Sequence, residues 1–96
     1  MFEVLKSPEF DDWLNRLADK QGKAKIAARV QRLEQGNPGQ VGAIGEGISE
    51  MKIDFGPGYR VYFKQTGRTI VLILCGGDKS TQTKDIRRAK QIAASL

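Results

Sequence analysis

Apolar and polar residues alternate along the middle of the chain, on both sides of a Gly-Pro-Gly turn at residues 56–58. One set of alternate positions is apolar: Met51, Ile53, Phe55, Tyr59, Val61 and Phe63. The positions between them are mostly charged: Glu50, Lys52, Asp54, Arg60, Tyr62 and Lys64. Because successive side chains of a strand point to opposite faces, the pattern predicts a β-hairpin with one face in the core. The other face is predicted to be open and to carry the function.

Helical spacing of apolar residues appears in two segments before the hairpin. A short strand at residues 2–5 is followed by Ser7, a good N-cap, and by a helix predicted to reach about residue 18. A second helix is predicted from about residue 23 to residue 35, where Gly36 ends it. The link between them is short, which favours an antiparallel helical hairpin. Residues 36–47 contain five glycines and are predicted to form an ordered loop.

The C-terminal third of the chain predicts one more strand and one more helix. Residues 69–75 are apolar on both faces, as in a strand at the centre of a sheet. An amphipathic helix is predicted from Ser80 or Thr81 to Leu96. The element order is therefore β-α-α-β-β-β-α in a single domain over residues 1–96. This order predicts an α+β fold with a small antiparallel sheet and helices mainly on one face.

Charge and composition narrow the classes of function. The net charge of +5 is uneven, because residues 52–96 hold nine Lys and Arg against three Asp and Glu. Such a field attracts a polyanion such as nucleic acid, although a merely solvated basic surface is an equal alternative. The chain has no histidine and one cysteine, so we expect no metal, no cofactor and no internal disulfide. No apolar segment resembles a signal peptide or membrane helix, and we expect a cytoplasmic protein.

The predicted open face suits one reaction that needs neither metal nor histidine. Its candidate groups are Lys52, Arg60, Tyr62, Lys64 and Lys79. Fixed cations can stabilise the charge that develops when a ribose 2′-hydroxyl attacks its own phosphodiester, and a tyrosine can donate a hydrogen bond or stack on a base. Asp54, Asp78 or a deprotonated lysine would act as base, and the reference pKa values of such groups predict a slow unassisted reaction. Alternatively, Arg60 pairs with Asp54 or Glu50 and the face is only solvated.

Two further basic edges are candidates for contact with an RNA backbone. Arg29 and Arg32 lie on the second predicted helix, and the terminal helix carries Lys84, Arg87 and Arg88. Cations in such rows bind phosphates without reading sequence. A solvated helix surface is the simpler interpretation of both rows.

Three runs of residues carry a resemblance to a known family. They cover residues 47–53, 56–63 and 76–82, with Asp85, Ile86 and Ala89 beyond the third run. In this order they resemble the HigB-type branch of the RelE/ParE toxins. These proteins are the toxin halves of type II toxin–antitoxin modules, often called phage-derived addiction-module killer proteins. The similarity extends over nearly the whole chain.

The resemblance implies a RelE-like fold, a cognate antitoxin with a helix-turn-helix DNA-binding domain, and ribosome-dependent cleavage of translated mRNA. Ribosomal RNA would help to position the substrate, which would compensate for weak acid–base groups. By position, Arg60 matches the family's phosphate-stabilising arginine and Lys79 a basic residue after the last strand, whereas Lys52 and Tyr62 match less closely. The histidine or C-terminal aromatic that several relatives use as acid or base is missing here. Two alternatives stay open: a ParE-like, non-catalytic inhibitor of DNA gyrase, and a degenerate toxin that only binds its partner.

Overall fold

The computed structural model describes residues 1–96, which form a five-stranded sheet and three α-helices. In chain order the elements are β1 (Glu3–Lys6), α1 (Pro8–Arg16), α2 (Lys20–Glu34), β2 (Val41–Gly45), β3 (Ile48–Ile53), β4 (Tyr59–Thr66), β5 (Ile70–Asp78) and α3 (Gln82–Ala94). A single 3₁₀ turn, Lys79–Thr81, joins β5 to α3. The fold is α+β, as predicted.

The strand order across the sheet is β1-β5-β4-β3-β2. Strands β2 to β5 pair antiparallel, whereas β1 runs parallel to β5. The sheet is therefore mixed, and the prediction of a purely antiparallel sheet is wrong in this respect. The prediction of a loop over residues 36–47 is also partly wrong, because Val41–Gly45 forms the edge strand β2. Its glycines lack the side chains that give a strand its recognisable pattern. Strand β2 forms because β3 offers it a free row of backbone hydrogen-bonding groups.

Side-chain caps start both helices of the predicted helical hairpin. The Ser7 hydroxyl accepts a hydrogen bond from the Phe10 amide at 3.0 Å and donates one to the Leu74 carbonyl oxygen at 2.6 Å, which ties α1 to β5. The Asp19 carboxylate accepts one from the Gly22 amide at 3.0 Å at the start of α2. Each cap satisfies a helix N-terminal amide that has no partner within the helix.

Helices cover both faces of the sheet, and this overturns the prediction that they lie mainly on one. The first core lies under α1 and α2 and contains the predicted apolar set of β3 and β4 together with Phe10, Ile26, Val30, Leu33, Val71 and Ile73. The second core lies under α3 and contains Ile48, Tyr62, Leu74, Cys75 and Ala89. The predicted two-sided burial of the last strand is confirmed, because β5 contributes to both cores.

A bulge in β5 fixes how its C-terminal end meets the helices. Tyr62 pairs with Cys75 and Phe63 with Ile73, which leaves Leu74 as the extra residue. Leu74 and Cys75 consequently both pack towards α3. After the bulge the alternation resumes: a side chain on Gly76 would collide with Trp13 of α1, and one on Gly77 with Asp85 of α3.

None of the three helices is long and apolar enough to cross a lipid bilayer.

Candidate functional site

Three cationic side chains meet in a groove at the end of the sheet where β3 stops and β4 starts. The groove measures about 320 Å³ and is lined by Gln40, Lys52, Ile53, Asp54, Gly58, Arg60 and Lys79. We call it the Arg60 groove. Lys52 and Arg60 are direct cross-strand partners, and Lys79 follows immediately after Asp78, the partner of Tyr59. Sheet register therefore places the three cations together, of which the hairpin pattern predicted Lys52 and Arg60 to share a face.

Arg60 is predicted to lie free on an open face, but the structure holds its guanidinium from two sides. Its Nε lies 3.4 Å from Glu50 Oε2, with the side chains of Arg60 and Glu50 only 12% and 4% exposed. Its Nη1 donates a hydrogen bond to the Gly58 carbonyl oxygen at 3.0 Å. Glu50 Oε2 also accepts one from Gln82 Nε2 of α3 at 2.8 Å. The predicted alternative, an ion pair with Glu50, is thus present, and it fixes the guanidinium at the wall of the groove.

Lys52 and Lys79 carry charges that no carboxylate neutralises. Neither side chain forms an ion pair, and Lys79 is exposed while Lys52 is half-buried. Gly58 lies between Arg60 and Lys79, since a Cβ there would lie 3.4 Å from both Arg60 Nη1 and Lys79 Cβ, and its φ of +80° is one that favours glycine. The groove therefore combines one fixed guanidinium with two free ammonium groups.

The prediction that Tyr62 lies on an open face is wrong. The residue is fully buried beneath α3, and its hydroxyl group makes no hydrogen bond. Burial and the charge of Glu50 raise the pKa of Tyr62 above its ordinary value. The apolar strip that Tyr62 forms with Ile48 and Leu74 is what α3 covers. In this conformation Tyr62 cannot reach a ligand in the groove.

Arg29 is likewise not a free cation of the helix surface. Its guanidinium donates hydrogen bonds to the carbonyl oxygens of Lys52 and Pro38, both at 2.8 Å, and of Gln40 at 3.5 Å. Burial lowers the pKa of Arg29. The side chain ties α2 to β3 and to the segment before β2, which is a structural task, although its charge still faces the groove region.

The remaining basic candidates do not share one surface. Arg32 is exposed on α2 and lines a separate groove that shares Ile53 and Asp54 with the Arg60 groove. Lys64 is half-buried further along β4, next to the β2–β3 turn, where its Cε would lie 3.5 Å from a Cβ on Gly47. Three others lie on α3, exposed to solvent: Lys84, Arg87 and Arg88. Arg88 is engaged with Glu9 at 2.6 Å.

Sequence reasoning missed Gln82 and Asp85, which pack α3 against the site. Asp85 is 9% exposed and accepts a hydrogen bond from the Thr81 hydroxyl, and burial raises the pKa of its carboxyl group. A Cβ on Gly77 would overlap the Asp85 carboxylate, so the glycine permits this close approach. The double glycine before a helix was the available signal. No group of three or more His, Cys, Asp or Glu side chains is placed to hold a metal ion.

Comparison with known proteins identifies the family of this chain. The family described as phage-derived protein Gp49-like (DUF891) matches residues 12–95, which include every residue of the Arg60 groove. The chain belongs to this Gp49-like family. An uncharacterized protein of Haemophilus influenzae is 52% identical over 87 residues, covering 91% of this chain and 88% of the relative. No solved structure matches the chain.

Proposed function

We propose that this Gp49-like protein is the toxin of a type II toxin–antitoxin module and acts as a metal-independent, ribosome-dependent mRNA endoribonuclease. The observation that carries the proposal is the Arg60 groove, where a fixed guanidinium and two unpaired lysines surround a space open to a phosphodiester. Membership of a phage-derived, often toxin-like family and the HigB-type resemblance of the sequence agree with it.

The chemistry follows from what three cations can do at one phosphate. Attack of the 2′-hydroxyl on its phosphodiester builds charge on the phosphorane oxygens and on the 5′-leaving oxygen. We expect Arg60 to contact the phosphorane oxygens, and Lys52 and Lys79 the remaining oxygen and the leaving group, because all three line the same groove. Donors that are already oriented need no reorganisation during the reaction, and Glu50 supplies that orientation for Arg60.

Proton transfer is the weaker part of the site. Asp54 is the only carboxylate that lines the Arg60 groove, and it is therefore our candidate for the base. Tyr62 is buried too deeply to assist. A site with strong electrostatic groups and a weak base fits an enzyme whose substrate is aligned by another body, here the ribosome, because alignment alone lowers the barrier substantially. A cognate antitoxin would neutralise the toxin.

The test is mapping of mRNA 5′ ends in a translating extract with purified protein. We expect codon-positioned breaks that disappear with Arg60→Ala and persist with Arg68→Ala. Arg68 lies in the turn between β4 and β5, at the other end of β4 from Arg60, so this control removes an equal charge away from the groove. Intact message with folded wild-type protein would refute the nuclease. Blocked supercoiling in a purified gyrase assay would support a ParE-like inhibitor instead, and growth unaffected by expression would indicate a partner-binding module.

A further inference from the structure

A second groove lies beside the Arg60 groove and shares a wall with it. It measures about 350 Å³, and Ile53 and Asp54 line both grooves. Its other lining residues come from α2 and from the turn after β3: Lys25, Ala28, Arg29, Arg32 and Phe55. We call it the Phe55 groove. Because Ile53 and Asp54 line both grooves, an extended ligand that leaves Arg60 and passes over Asp54 would enter the Phe55 groove.

The two grooves together form a strongly cationic concave surface. Six cationic residues line them, three in each, against a single carboxylate, that of Asp54. The groove between α1 and α3 is lined by three acidic residues and one arginine, and the groove along α3 by three cations and two carboxylates, of which Glu9 engages Arg88. Neither Lys25 nor Arg32 forms an ion pair. A polyanion is therefore attracted to this side of the protein.

Phe55 adds an aromatic surface to this positive path. Its ring is half-buried, packs against the core under α2, and has Lys25 Nζ 5.0 Å from its centroid. Two backbone hydrogen bonds hold the turn that presents it, from the Phe55 amide to the Ile53 carbonyl at 2.9 Å and from the Gly58 amide to the Phe55 carbonyl at 3.0 Å. Sites for single-stranded nucleic acid combine these parts, a cationic groove that follows the backbone and an aromatic ring on which a base stacks.

We propose that single-stranded RNA runs from the Arg60 groove across Asp54 into the Phe55 groove, where one base takes the place of the Lys25 ammonium group over the Phe55 ring and Lys25 and Arg32 contact the backbone. The inference deepens the proposed function, on which it rests, because it names the binding site for the nucleotides that flank the phosphate held at Arg60. Stacking tolerates any base, so this part of the site contributes affinity with little sequence preference.

The test is fluorescence anisotropy of the full chain with a labelled, unstructured RNA of about 12 nucleotides, a length within the range of known single-strand sites. Phe55→Leu keeps an apolar side chain and removes the ring, and we expect it to raise Kd about fivefold or more, while Phe55→Tyr leaves Kd unchanged. Arg32→Ala should reduce the slope of log Kd against log salt by about 0.7. The matched control is again Arg68→Ala, which should have a smaller effect on both quantities.

Three outcomes would overturn the path: Phe55→Leu binding RNA as wild type does, Arg32→Ala behaving as Arg68→Ala does, or polyglutamate showing this dependence on Phe55 while RNA does not. The last would indicate an acidic protein segment as the occupant. If circular dichroism shows that Phe55→Leu does not fold, the salt dependence of Kd for Arg32→Ala, a change at an exposed residue, still tests the RNA path. If the protein cuts mRNA but the Phe55 and Arg32 variants bind RNA as wild type does, the nuclease proposal is supported and the RNA path is refuted. If the variants bind RNA more weakly but the protein cuts no mRNA, the RNA path is supported and the nuclease proposal is refuted.

Discussion

Replacing Glu50 by glutamine removes the charge that holds Arg60 while keeping the size of the side chain. The two groups lie 3.4 Å apart with little exposure to water, and at an effective dielectric of about 20 their attraction is about 5 kcal/mol before desolvation is subtracted. Glutamine leaves the guanidinium partly buried without its counter-ion. Because Arg60 keeps its hydrogen bond to Gly58 and some contact with solvent, we expect a loss of about 2–3 kcal/mol in the free energy of unfolding.

That loss should lower Tm by roughly 10–20 °C in a domain of this size, measured by circular dichroism and checked by urea unfolding. The matched control is Glu46→Gln. Glu46 pairs with Lys90 at 3.5 Å, but the Glu46 side chain is 61% exposed and that of Lys90 37%, so the loss of this pair should cost under about 1 kcal/mol. The reasoning is refuted if Glu50→Gln lies within about 0.5 kcal/mol of wild type, or if it and Arg60→Met are additive in a double-mutant cycle. A folded Glu50→Gln protein that cuts mRNA at the wild-type rate would show that Glu50 does not position Arg60.

Two further predictions concern the structural hydrogen bonds of Arg29 and the buried carboxyl group of Asp85. Arg29→Lys should lower the free energy of unfolding by about 1–2 kcal/mol in urea, because one ammonium group cannot span the carbonyls that the guanidinium binds, whereas Arg32→Lys on the exposed face should change nothing. The pKa of Asp85 is raised in the fold, so its carboxyl group binds a proton more readily there than in the unfolded chain. The stability that this group contributes is fully present below its unfolded pKa. It is lost as the pH rises through the folded pKa. Asp85→Asn should therefore flatten the pH dependence of urea unfolding above pH 4; an unchanged profile would contradict this assignment.

Local rules predicted much of the fold because their causes are local. The Ser7 cap, the stop near Gly36 and the alternation around the Gly-Pro-Gly turn each depend on residues a few positions apart. The same alternation placed Lys52 beside Arg60, since cross-strand register follows from the turn. The cationic groove was therefore within reach of sequence reasoning.

The burial of part of the charged hairpin face under α3 could not be predicted from local patterns, because it depends on contacts between distant residues. Charged residues that alternate on a hairpin look alike whether water or a polar helix covers them. Here Gln82 satisfies Glu50, 32 positions away, and so makes burial of that carboxylate tolerable. Strand β2 escaped prediction for a related reason, since its pairing with β3 compensates for a glycine-rich sequence with little preference for a strand.

The Tyr62 hydroxyl is buried under α3, and its removal tests whether it contributes to stability or to catalysis. This hydroxyl has no hydrogen-bond partner, so Tyr62→Phe should keep or raise the free energy of unfolding by up to about 1 kcal/mol in urea. The control lies three residues earlier on the opposite face: Tyr59 donates a hydrogen bond to Asp19 Oδ2 at 2.7 Å, and Tyr59→Phe should cost about 1.5–3 kcal/mol. Equal losses in the two variants would mean that the Tyr62 hydroxyl has a partner. A stable Tyr62→Phe protein that no longer cuts mRNA would mean that this hydroxyl acts in catalysis, either on the phosphate after α3 has moved aside or through Glu50, which holds Arg60.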